Sequence, residues 1–152
     1  MDEKSRERFK EDFPLLIEAG FVAVKQLDEI SALRIFLAAQ VVSPFSSAPQ
    51  IGIGYIALNK LEVKKATKIF DEVVKREPEN WLAVSFLGIC YLLSKPKRKK
   101  GEQLIKKAME ASDDETIRNL GAISLEWADK DLKKEESPFF AKLKTSEEAE
   151  ES

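Results

Sequence analysis

The chain of 152 residues has no histidine and a single cysteine, Cys90. Without imidazole it lacks the commonest general base, the commonest metal ligand and every Ser-His or Cys-His nucleophile pair. Catalysis would have to run on Asp, Glu and Lys. The acidic pairs, such as Asp28-Glu29, fall in turns or at helix starts, where nothing marks them as catalytic. Cys90 sits within an apolar stretch, where a thiol serves packing rather than reactivity. Being alone it forms no intramolecular disulfide, which fits a reducing compartment. The one basic run, Lys95-Pro96-Lys97-Arg98-Lys99-Lys100, reads as a nuclear import signal, and clusters of this length also touch nucleic acid. It has no interleaved aromatic residues, and the chain as a whole is acidic, with net charge −2 and pI about 5.5. A solvated turn between two helices is therefore expected, and a nucleic-acid surface is not. No enzyme, no metal and no cofactor is expected. The chemistry left to explain is recognition through apolar side chains.

The bulk composition agrees with that direction. Hydrophobic residues make up 43% and charged residues 34% of the chain, which suits a soluble helical domain rather than a disordered segment. No apolar run approaches the roughly 18–20 residues of a membrane span. The start, MDEKSRERFKED, has no apolar core of a secretory signal. The expected location is cytoplasmic, with no membrane partner.

The elements that must position the apolar residues follow from a repeat. Gly20, Gly54 and Gly88 lie 34 residues apart, and Ala32/Ala66, Phe36/Phe70 and Pro44/Pro78 keep the same step. A period of 34 is that of the tetratricopeptide repeat, a helix–turn–helix unit that stacks into a solenoid. Cutting at Phe13, Ser47 and Trp81 gives repeats 13–46, 47–80 and 81–115. The third carries Leu87-Gly88 with Tyr91, the best copy of the first half of the template. Its second half slips by one residue, so that Gly101, Ile105 and Ala108 take the places of Ala66, Phe70 and Val73, with the extra residue near Lys95-Pro96-Lys97. Small residues belong where two helix backbones approach closely, the phenylalanine fills space between helices, and the proline breaks the second helix. Ala66, Ile69, Phe70, Val73 and Val74 show the helical period in the second unit. Asn80 and Ser47 are expected N-caps. An all-α tetratricopeptide solenoid of three helix pairs is predicted over 13–133, closed by a capping helix at 116–133 that begins behind the acidic Asp113-Asp114-Glu115. Residues 1–12 form a charged leader and 134–152 an acidic tail, read as disordered from Thr145 onward. Phe139-Phe140 is expected to dock on the domain or on a partner.

In such a repeat the first helix of each pair (helix A) lines the concave surface. Positions 5, 9 and 12 of each unit share one face of that helix. They are Ile17, Phe21 and Val24 in the first unit, Ile51, Tyr55 and Leu58 in the second, and Ser85, Ile89 and Leu92 in the third. All but Ser85 are apolar or aromatic. The opposite stripe of helix A also carries apolar residues for the solenoid's own core, so this face predicts an exposed apolar groove, which soluble monomers rarely keep without a partner. An amphipathic or extended apolar segment would be taken helix-in-groove. Repeat proteins that clamp the acidic tail of a heat-shock chaperone place Lys, Asn and Arg at these positions; Ile17, Phe21, Ile51 and Tyr55 cannot hold a carboxylate. The alternative is a groove filled internally, by the N-terminal segment, the tail or a second copy, so a homodimer stays open.

With three such repeats, an apolar groove, an acidic pI and no catalytic set, the stretch 13–133 resembles the tetratricopeptide chaperones of bacterial type III secretion. One branch holds translocator proteins; the other, with a small helical co-chaperone, holds the needle subunit and stops it polymerising. Only twelve residues precede Phe13, and Ala32-Leu33-Arg34-Ile35-Phe36-Leu37-Ala38-Ala39 is apolar on several faces, which leans toward the needle branch. The resemblance implies that the groove grips the carboxy-terminal helix of the subunit and that a co-chaperone covers the outer helix. A translocator chaperone or a general tetratricopeptide adaptor are the competing expectations.

Overall fold

The computed structural model describes residues 2–132. The expectations for Phe139-Phe140 and for the acidic tail lie outside them. Every regular element among the described residues is helical: α1 (Glu3–Phe9), α2 (Phe13–Lys25), α3 (Glu29–Val42), α4 (Ala48–Asn59), α5 (Val63–Arg76), α6 (Trp81–Leu92), α7 (Arg98–Ala111) and α8 (Glu115–Trp127). A tight 3₁₀ turn at Lys10–Asp12 joins the charged leader to α2, a second at Lys95–Lys97 precedes α7, and a wide π turn at Ala128–Leu132 follows α8.

Local chemistry places the helix starts. Pro14 and Pro49 occupy the first turns of α2 and α4, where no N–H is needed. Asp28 caps α3 by accepting from the Ser31 amide at 3.1 Å, and Asp114 caps α8 through the Thr116 amide at 2.8 Å. Asn80 caps α6 as expected, accepting from the Ala83 amide at 3.1 Å. Ser47 occupies the N-cap of α4 without a side-chain cap bond. Its hydroxyl accepts from Asn80 Nδ2 at 3.3 Å instead, and Ser46 Oγ takes the Ala48 amide at 3.2 Å. Ser47 thus ties the start of one hairpin to the start of the next.

The helices pack in chain order as hairpins α2–α3, α4–α5 and α6–α7, with α8 laid against α6 and α7. The first helices also touch one another, α2 with α4, α4 with α6 and α6 with α8, whereas α3, α5 and α7 make no comparable mutual contact. That asymmetry puts α2, α4, α6 and α8 on the inner side of the row.

The 34-residue step reappears as one repeated contact. A β-carbon on Gly20 would stand 2.5 Å from the Phe36 ring, and one on Gly54 2.8 Å from the Phe70 ring. In the third hairpin a β-carbon on Gly88 would meet Ile105 at 2.7 Å and the Gly101 carbonyl at 3.0 Å. Gly101 and Ile105 thus stand where Ala66 and Phe70 stand, and the added residue is absorbed at the 3₁₀ turn Lys95–Lys97. Phe36 also reaches Gly52 of the next hairpin. One step later the residue is Phe86, which stacks on Phe70 at 5.2 Å with an interplanar angle of 21°.

The first two hairpin turns are copies as well. Leu27 (φ 61°) and Leu61 (φ 58°), again 34 apart, adopt the left-handed conformation. Beyond them Asp28 N–H returns to the Ala23 carbonyl and Glu62 N–H to the Ala57 carbonyl, both at 2.9 Å. This is the closing bond of a Schellman motif, in which glycine is the usual left-handed residue.

Candidate functional site

The inner face is built around a ladder of rings. Phe21 meets Phe36 edge-on at 5.2 Å, Phe21 meets Tyr55 at 5.5 Å, and Tyr55 meets Phe86 at 5.4 Å. One ring from each of α2, α4 and α6 thus joins the hairpins along the row. Each tilted pair contributes roughly 0.5–1.5 kcal/mol beyond its buried area.

The predicted groove residues divide by depth. Ile17, Phe21, Tyr55, Leu58 and Ile89 are half-buried, resting on the core with part of each side chain open. Val24, Ile51, Ser85 and Leu92 are interior. Val24 packs with Phe36 and Ile56, and Ile51 with Ala57 and Phe70. Ser85 is enclosed, its hydroxyl donating to the Trp81 carbonyl at 2.7 Å. Leu92 packs against Ile105 and Ala128. The groove is therefore shallower than the helical period alone implies, and its far end is occupied. At that end the cause is α8 with its π turn: Leu125, Ala128 and Leu132 cover Leu92 and lean on Ile89. The open part runs over α2 and α4, from Ile17 to Leu58.

Arg98 locks this end. Its Nε donates to the Leu92 carbonyl at 3.1 Å and its Nη1 to the Leu132 carbonyl at 3.0 Å, so one guanidinium closes the end of α6 onto the end of the π turn. The basic run is thus only partly the solvated turn expected of it. Lys95, Lys97, Lys99 and Lys100 are exposed, with Lys97 and Lys100 standing 5.1 and 5.3 Å from the centre of the Tyr91 ring. Arg98 is a structural strut.

Cys90 is fully enclosed, and burial pushes its thiol up to about 11. A thiol so placed is protonated at neutral pH and a poor nucleophile. Asp28 is the α3 cap, and the Ser31 hydrogen bonds hold its carboxyl below the usual value. Glu29 accepts from Lys60 Nζ at 2.9 Å. Among the described residues no group of three His, Cys, Asp or Glu side chains could hold a metal ion, and no helix is long and apolar enough to cross a membrane.

A second apolar surface lies on the outside of the first hairpin. Ile30, Leu33, Leu37 and Val41 form an exposed stripe on α3, opposite the buried Ala32, Phe36, Ala39 and Val42. The sister helices treat these positions differently. One 34-residue step on, α5 has Lys64, Thr67, Asp71 and Lys75. At the slipped step α7 has Lys99, Glu102, Lys106 and Glu110. In α5 the last two form an ion pair, Lys75 Nζ to Asp71 Oδ2 at 2.9 Å. The sequence already shows residues 32–39 apolar on several faces; comparing the outer faces of the units narrows that signal to Ile30, Leu33, Leu37 and Val41.

No protein-family model matches this chain, and no curated protein matches it significantly.

Proposed function

We propose that this chain is a tetratricopeptide-type binding module that holds an amphipathic or apolar helix of a partner protein against its inner face. The observation that carries the reading is the half-open strip of Ile17, Phe21, Tyr55 and Leu58 across α2 and α4, which contains no charged side chain. The recurrence of the glycine-to-ring closure at 34-residue steps supports the tetratricopeptide arrangement of the hairpins. Burying large apolar side chains on such a strip contributes about 1.5–3 kcal/mol each, so a few anchors from one ligand helix suffice. The resemblance to type III secretion chaperones narrows the client to a needle subunit, whose self-association would stop once its carboxy-terminal helix is covered.

The test is titration of the purified chain with fluorescently labelled amphipathic helical peptides, among them one with leucines at i, i+4 and i+7 and one from the carboxy terminus of a needle subunit. Ile17→Lys and Leu58→Lys are the informative variants. Phe21 and Tyr55 touch core rings, so a charge there would disturb folding as well as binding. Affinity is expected to fall at least about tenfold in each, with helical content by circular dichroism unchanged. Undiminished binding in both would remove the inner face as the site. Preference for a scrambled, non-amphipathic peptide would remove the helix-holding function.

A further inference from the structure

The outer stripe of α3 needs a cover. A helix with apolar residues on opposite faces normally has both covered, and α3 is the one second helix of a hairpin whose solvent side lacks the charges that α5 and α7 carry at the same repeat positions. We propose that this face is the interface of a homodimer, in which α3 of one copy packs side by side and parallel with α3 of a second copy.

Area is the first argument. Along the stripe and on the adjoining α1, Phe9, Ile30, Leu33, Leu37 and Val41 are exposed by between 39% (Leu33) and 68% (Ile30). Phe9 borders the same cleft as Val41 and Ala38, so the apolar surface continues from α3 onto α1. Together these side chains leave on the order of 400 Å² of apolar area open. A stable interface of standard size removes about 800 Å² per partner, of which roughly 60% is apolar. One copy of the chain therefore carries the apolar core of one side of such an interface.

Charge placement selects a second copy and its direction. At 100° per residue Glu29 and Arg34 fall on opposite edges of the Ile30–Leu33–Leu37–Val41 stripe. They are five residues apart. In a parallel helix pair that is the offset at which flanking charges meet across the seam. Glu29 of each copy then faces Arg34 of the other, and two-fold symmetry makes the pair twice. In an antiparallel pair like edges meet, and Arg34 faces Arg34. The carboxylate is already fixed at the seam's edge, since Lys60 Nζ holds Glu29 Oε1 at 2.9 Å. At the same positions α5 has Val63 and Lys68, which cannot make this pair.

The test is sedimentation of the full chain across the micromolar range. The expected mass is about 34 kDa, twice the 17.2 kDa of the chain. Leu33→Thr with Leu37→Asp copies Thr67 and Asp71 of α5, so it is compatible with the folded hairpin, as unchanged helical content by circular dichroism would show; its melting temperature should fall only by the share that dimerisation contributes. Because symmetry applies each change twice, it should weaken dimerisation at least about a hundredfold. Arg34→Glu and Glu29→Lys should each weaken self-association about threefold or more, and an equimolar mixture of the two variants should recover it. A wild-type mass of 17.2 kDa at every concentration overturns the proposal and leaves the face to a different protein or to residues 133–152. A dimer that survives Leu33→Thr with Leu37→Asp overturns it as well, because association then uses another surface. Failure of the mixed charge variants to recover overturns the parallel arrangement.

Discussion

Phe36 occupies the space that a side chain on Gly20 would need: the nearest ring carbon lies 2.5 Å from where a β-carbon would be. The ring is fully buried and also reaches Gly52 of the following hairpin, so it has nowhere to retreat. Gly20→Ala is therefore expected to destabilise the fold by about 1–3 kcal/mol, the usual range for overpacking a tight core. The double variant Gly20→Ala with Phe36→Leu should lose less than the sum of the two single changes, since the smaller side chain makes room. Urea unfolding followed by circular dichroism reads both. Simple additivity would mean that the two residues do not share the space.

Leu27 and Leu61 hold left-handed backbone that glycine adopts freely, and both side chains are largely in water, at 91% and 72% exposure. A non-glycine residue in that region costs about 1–3 kcal/mol, offset in part by the greater freedom glycine gives the unfolded chain. Leu61→Gly should stabilise by about 0.5–1 kcal/mol and raise the melting temperature by roughly 2–4 °C. Leu27→Gly should behave alike because the turn is a copy. A fall in melting temperature for either would show that the leucine contributes contacts outweighing its strain.

What could be read from the sequence was what the repeat dictates locally. The 34-residue step put Gly20, Gly54 and Gly88, and Phe36 and Phe70, at equivalent positions, and the one-residue slip put Ile105 in the place of Phe70; that each glycine faces that side chain is what the structure adds. Polarity rules found the Asn80 cap. Periodicity could not say which later element lands on a given face. Leu92 and Ser85 sit on the face that holds Phe21 and Tyr55 in the earlier units, yet Leu92 lies under the π turn after α8, and Ser85 is enclosed. The burial of Leu92 is a tertiary consequence of one extra helix. The α3 stripe was legible in principle, because Leu37 and Val41 stand where Asp71 and Lys75 form an ion pair. The sequence shows residues 32–39 apolar on several faces; which of them face solvent is set by the packing of α3 on its neighbours.

Arg98 joins two carbonyls, Leu92 and Leu132, that terminate different elements. Lysine has the charge but not the rigid fork that serves both oxygens at once. Arg98→Lys is expected to cost about 1–2 kcal/mol. It should selectively speed amide exchange in Ala128–Leu132 while leaving α2–α5 protected. Uniformly faster exchange across the chain would instead indicate that the Arg98 bonds contribute to global stability and not to a locally opening end.

Cys90 makes the stability depend on alkaline pH in a direction that its burial fixes. Its thiol has an ordinary value of 9.0 and is pushed to about 11 in the folded chain, first of all because burial disfavours the thiolate. Between these values the unfolded chain has released the proton while the folded chain still holds it. Stability therefore falls as pH rises through that window, and below 9 the term is absent. The full loss is on the order of 2–3 kcal/mol. Lysines and tyrosines titrate in the same range, so the informative quantity is the difference between the wild type and Cys90→Ala. That difference should be flat from pH 7 to 8.5 and then shift in favour of the alanine variant up to about pH 11. The same enclosure predicts that a thiol reagent labels Cys90 only at the rate at which the fold opens, with immediate labelling in denaturant. Rapid labelling of the native chain at neutral pH would contradict both expectations.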